Sequence, residues 1–195
     1  MTCRPCGPPL ARAGVPAAVA CLTIVALLAA PIRAAGQTAT ATTLKAAFVY
    51  NFAKFTEWPS TALASGQRLA LCVVGDTAVA DALEQTIRGR SHEGHELTVQ
   101  ILTADGPLQS CHVVYVDGRD AARVASVLET LRDQPVFTVG NRNDFAKRGG
   151  IAQLILERDR MRFAINVSAA TRAGLTLSSR LLSLATIVRD GDGGA

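Results

Sequence analysis

RLALCVVGD, residues 68–76, reads as an apolar strand from Arg68 to Val74 that ends at Gly75, with Asp76 or Thr77 capping a helix that runs to about Ile87. Working downstream, Leu97 to Leu102 alternates as a strand and His112 to Val116 is a third. A helix from about Arg119 to Leu131 follows, and then a fourth strand from Pro135 to Val139. Strand and helix alternate as far as Gly140, which predicts a mostly parallel sheet. Ile151 to Glu157 and Arg160 to Ile165 flank a tight turn at Arg158-Asp159, so an antiparallel hairpin should close the sheet. Asn166 then caps a short helix that Gly174 ends, and Ser178 opens a last helix to about Val188. The expected fold is α/β: one domain over residues 44–189 with a mostly parallel central sheet, a C-terminal antiparallel hairpin and flanking helices.

Upstream lies LKAAFVYNFAKFTEWP, Leu44 to Pro59, which holds five of the nine aromatic residues of the chain. Leu44, Phe48, Phe52, Phe55 and Trp58 fall along one side of a helix that Thr43 can cap and Pro59 should stop. That side should lie on the sheet. Tyr50 and Ala46 point elsewhere and leave room for a second apolar contact, such as a second copy of the chain.

The formal charge of +4 is misleading until the N-terminus is set apart. Of 20 basic side chains, Arg4, Arg12 and Arg33 fall in residues 1–36, which contain no acid; the rest of the chain has 17 basic against 16 acidic groups. The body therefore gives no electrostatic case for nucleic acid. Arg4 and Arg12 precede an uncharged run from Val15 to Ala30, of signal-peptide length, and Ala34-Ala35-Gly36 offers a cleavage site before Gln37. Cleavage after Ala41, a retained anchor, and lipidation at Cys21 are the alternatives. Residues 1–36 are read as a signal peptide for export to the periplasm, 37–43 as a short polar lead-in and 190–195 as a flexible tail.

Export changes the meaning of the cysteines. Cys3, Cys6 and Cys21 leave with the leader, and Cys72 and Cys111 remain. An even pair in an oxidising compartment favours a disulfide, with two buried thiols as the alternative.

Candidate chemistry is sparse. Gly75-Asp76 follows a strand, where nucleotide folds hold phosphate, but G-x-G-x-x-G is absent and Asp76 would repel an anion; an N-cap is the expected role. His92-Glu93-Gly94-His95-Glu96 holds four groups able to ligate a metal, yet Gly94 and the following strand point to a solvated loop. No G-x-S-x-G and no acid–base–nucleophile set is visible, so neither an enzyme nor a cofactor is expected. Lys147-Arg148 and Arg158, Arg160 and Arg162 read as solvated faces. Arg160 and Arg162 should face outward, opposite Met161 and Phe163. An acidic partner on those arginines is the functional alternative.

Together these segments resemble the YfiR family of exported bacterial proteins. The helix LKAAFVYNFAKFTEWP matches the family opening. The likeness continues through Leu71 to Asp76, Ser110 to Val116, Phe145-Ala146-Lys147-Arg148-Gly149-Gly150, Arg162 to Asn166, and Ala173-Gly174-Leu175 running into Ser178 to Leu182. The resemblance implies a periplasmic repressor that binds the sensor portion of an inner-membrane diguanylate cyclase and lowers cyclic-di-GMP. It also implies an OmpA-like outer-membrane lipoprotein that sequesters the repressor, and a homodimer. The resemblance further implies relief of repression under reductive or misfolding stress, and both cysteines match the family pattern, as a redox-sensing or a purely structural bridge. Some relatives carry a second disulfide near Gly149-Gly150, and no cysteine stands there in this chain. Relatives often have glutamate where this chain has Ala164, so its partner surface should be apolar at that point. Arg160, Arg162, Phe163, Ala164 and Asn166, with the final helix, are the expected contact residues. The alternative function is a periplasmic small-molecule-binding module, its ligand at the carboxyl ends of the strands near Gly75 and Gly140.

Overall fold

From Arg33 to Lys54 the chain is one helix, α1 (Arg33–Lys54), in the computed structural model, which describes residues 33–158 and 160–189. Residues 1–32 of the expected signal segment, Asp159 of the expected hairpin turn and the tail 190–195 lie outside the described residues. Residues 37–195 form one compact unit. Gln37 to Thr43, expected as a lead-in, is helical: QTATATT has no packing material, but it also contains no proline or glycine to break the backbone ladder.

The burial of α1 corrects the expected stripe. Ala46, Val49 and Ala53 are fully buried, with Tyr50 and Phe52 beside them, while Phe48, Phe55 and Trp58 are only partly covered. The small residues at the centre of this arc let the helix approach the sheet closely, and Phe48, Phe55 and Trp58 fill its margin. Tyr50 and Ala46 are consumed by this packing and offer no second contact. Phe52 stacks on Phe137 at 5.4 Å and meets Phe163 edge-on at 5.3 Å. The helix stops four residues before the expected Trp58. Thr56 Oγ1 donates to the Phe52 carbonyl at 2.8 Å, and the chain turns extended ahead of Pro59 as β1 (Thr56–Glu57).

Next comes β2 (Leu69–Val74), every residue of which is buried, followed by α2 (Thr77–Ile87). The His-Glu-Gly-His segment, expected as a loop, is a tight hairpin between β3 (Ser91–His92) and β4 (His95–Leu102). Glu93 and Gly94 both sit at positive φ, 51° and 83°, as a two-residue turn of matching twist requires. A 3-10 turn at Leu108–Ser110 leads into β5 (Val113–Val116), then α3 (Ala121–Thr130) and β6 (Phe137–Gly140). The expected hairpin is β7 (Ala152–Glu157) and β8 (Arg160–Asn166), and α4 (Val167–Arg172) begins on the Asn166 cap. Finally β9 (Thr176–Leu177) pairs with β1, α5 (Ser179–Leu182) makes one turn, and β10 (Thr186–Val188) joins the sheet. The long last helix is therefore corrected. Thr186-Ile187-Val188 is β-branched throughout and pairs in parallel with β8.

The main sheet runs β10-β8-β7-β6-β5-β2-β4-β3, parallel except for the β7–β8 and β3–β4 pairs. Its five central parallel strands follow the order 2-1-3-4-5 of a doubly wound fold. Alternation divides the core in two. Leu69, Leu71, Val73, Val113 and Tyr115 join α1 and α2 on one face. Cys72, Val74, Val114 and Val116 join α3 and Phe145 on the other. Each large side chain taken fully from water stabilises the fold by about 1.5–3 kcal/mol. The Phe145 ring sits against Gly140 and Gly150 so closely that a Cβ at either would overlap it, which accounts for glycine at both.

Candidate functional site

Cys72 and Cys111 form a disulfide, with Cα atoms 6.0 Å apart. It ties the middle of β2 to a position two residues ahead of β5, beside the Cys72–Val114 and Leu71–Val113 pairing. Both cysteines are buried, within the α3 face of the core. Next to the bridge, His112 accepts a hydrogen bond from the Ala70 N–H at 3.0 Å on Nδ1, and its Nε2 lies 3.1 Å from the Ala62 carbonyl. That geometry assigns the proton to Nε2. Burial holds the ring's pKa below its ordinary value, so it is a neutral structural group. His92 and His95 lie on the β3–β4 hairpin, where His95 Nδ1 contacts the Gln67 carbonyl. Among the described residues no three His, Cys, Asp or Glu side chains are placed to share a metal.

The expected contact residues divide by position on β8. Arg160 and Arg162 are exposed, and Arg162 Nε lies 3.9 Å from Glu157 Oε2. Phe163 is buried against Phe48 and Phe52. Ala164 lies between Gln153 on β7 and Thr186 on β10 and is 4% exposed, so the glutamate-to-alanine departure falls at a buried position rather than on an apolar surface. Asn166 is fully buried. Its Nδ2 donates to the Ala146 carbonyl at 2.7 Å, and its Oδ1 accepts from Ala169 N at 2.9 Å. One side chain thus links β8, the segment after β6 and the start of α4. What sequence reasoning missed is the sheet edge that β10 makes next to β8. Leu184 and Ile187 are exposed just before and on β10, which among the described residues has no strand on its outer side. The reading of residues 178–188 as helix concealed that edge.

The carboxyl ends of the strands form an open crevice where the strand order reverses, between β2 and β5. Asp76 caps α2 through Val79 N at 3.2 Å and pairs with Lys45 at 3.4 Å. Asp120 caps α3 through Ala122 N and Arg123 N, and those hydrogen bonds lower its pKa. Asp117, 2% exposed, is held by Arg119 and by Asn141 Nδ2. The Tyr115 hydroxyl is buried without a hydrogen-bond partner among the described residues, and burial followed by Asp76 and Asp117 raises its pKa. Both helix N-termini are occupied by their own aspartates, so the crevice favours no phosphate.

The sequence matches the YfiR/HmsC-like family over residues 42–186. No curated protein matches it. Among solved structures it is similar to a conserved domain protein from Vibrio cholerae O1 biovar eltor, at 15% identity and a TM-score of 0.49. The match covers 61% of this chain and 54% of that one, so the chain spans about half the length of that protein. By the extent of the family match, which takes in α1 from residue 42 onward, both cysteines and the whole hairpin, the chain belongs to the YfiR/HmsC-like family.

Proposed function

We propose that this chain is an exported, non-enzymatic regulatory adaptor that binds the periplasmic sensor portion of an inner-membrane diguanylate cyclase and represses it. Family membership across residues 42–186 carries the reading. The buried cystine supports export, because disulfides persist in oxidising compartments. The contact surface is the outward face of β8 at Arg160 and Arg162, next to β10, which pairs with no strand on its outer side among the described residues. Exposed arginines next to a free strand edge suit an acidic partner.

Repression is a population shift. The adaptor binds the inactive sensor state more tightly, and reversing a 1:99 equilibrium takes about 5.5 kcal/mol of differential binding. An OmpA-like outer-membrane lipoprotein would release the cyclase by competing for the adaptor, and a homodimer belongs to the same reading. The test is to delete the gene, measure cyclic-di-GMP, and restore either the wild type or Arg160→Glu/Arg162→Glu. Cyclic-di-GMP should rise on deletion and return to normal only with the wild type. An unchanged level on deletion would remove the cyclase from the proposal. Full restoration by the double variant would remove the arginines.

A further inference from the structure

A second concavity, of about 670 Å³, lies between α3, the segment after β6 and α4, away from the crevice at the strand ends. Its floor is apolar: Val124, Val136 and Ile151 are each nearly fully buried. Its walls carry five cations, Arg132, Arg142, Lys147, Arg148 and Arg172, against two carboxylates, an excess of three positive charges. Both acids already face a cation, Glu129 with Arg132 at 3.9 Å and Asp133 with Arg172 at 3.5 Å. Arg142 Nη1 donates to the Gly118 carbonyl at 3.3 Å, which orients the guanidinium without neutralising it. The body of the protein is close to neutral, so this excess is local. Cations gathered in a concave, apolar-floored site repel one another and focus positive potential into it, and an anion placed there relieves both.

We propose that this cleft binds a small organic anion, a phosphate- or carboxylate-bearing molecule with an apolar body. The volume is in the range of ligand sites, the floor takes the body, and Arg142 and Arg148 engage the charged group at the rim. The site is separate from the β8–β10 edge, so it gives the adaptor a second input that does not depend on the partner's identity.

Calorimetric titration of the whole exported chain with phenyl phosphate, benzoate and benzyl alcohol tests the site. The two anions should bind saturably, more weakly as salt is raised, and benzyl alcohol should not bind measurably. The stronger of the two anions identifies the charged group. Arg142→Glu/Arg148→Glu should weaken the anion by about ten-fold or more, whereas Arg88→Glu, an equal charge change at the end of α2, should leave it unaltered. Thermal melts of each variant separate lost binding from lost folding, and Arg148→Gln serves if the double variant melts early. The proposal is overturned if neither anion saturates in the millimolar range, if benzyl alcohol binds equally well, or if the charge reversals leave affinity unchanged.

Discussion

Reducing the Cys72–Cys111 bridge without changing any side-chain volume isolates what the covalent link contributes. The two cysteines are 39 residues apart, and closing a loop of that length removes chain entropy worth about 4 kcal/mol from the unfolded state. At roughly 2–4 °C per kcal/mol for a domain of this size, the melting temperature should fall by roughly 8–16 °C. The native side should change little, because Leu71–Val113 and Cys72–Val114 are already paired across β2 and β5 and both sulfurs stay in the same apolar cluster. The assay compares oxidised protein with protein refolded from denaturant in reductant, both melted at pH 7. A Cys72→Ala/Cys111→Ala variant should melt below the reduced wild type, since it loses sulfur packing as well as the link. Melting temperatures within about 2 °C for the oxidised and reduced chains would refute the loop-closure account, as would a double variant as stable as the oxidised protein.

Two other perturbations probe the buried polar groups. His112 is neutral when folded, with its pKa held below the ordinary 6.5, so the unfolded chain takes up a proton first as pH falls. Stability should be fully present above pH 6.5 and decline below it, by at most about 1.4 kcal/mol per pH unit, down to the folded pKa. Urea unfolding at several pH values should show this component missing in His112→Phe, and an identical slope in the variant would assign it to other groups. Asn166→Ala should cost about 1–3 kcal/mol by removing the α4 cap and one of the two hydrogen bonds on the Ala146 carbonyl, the other coming from the Gly149 N–H. Asn166→Asp should be no better, because it keeps the cap but sets a carboxylate against that carbonyl; wild-type stability of Asn166→Asp in chemical denaturation would disprove the two-sided role.

Much of the framework was legible locally. The apolar runs at Leu69–Val74 and Val113–Val116 are strands, and Asp76, Asn166 and Ser178 each cap a helix through a side-chain oxygen, as their sequence positions predict. The proposed contact surface was legible only in part. Strand alternation placed Arg160 and Arg162 outward correctly, but Ala164 and Asn166, on the same side of β8, are buried by β10 and by the segment around Ala146. Nothing within RMRFAIN indicates which elements will cover its second half.

What the sequence determined is what neighbours along the chain settle: period-two and apolar-run strands, capped helices, turns at glycine, and a parallel sheet from strand–helix alternation. The tertiary structure decided the rest because it depends on partners distant in sequence. Thr186–Val188 becomes strand rather than helix because β8 offers an unpaired edge. The centre of the α1 contact falls on Ala46, Val49, Phe52 and Ala53 because the small side chains let the helix settle onto the sheet, leaving Phe48, Phe55 and Trp58 to its margin. The bridge, finally, needed two cysteines 39 residues apart, one in the middle of β2 and one two residues ahead of β5, to arrive in the same apolar cluster, which only the assembled sheet supplies.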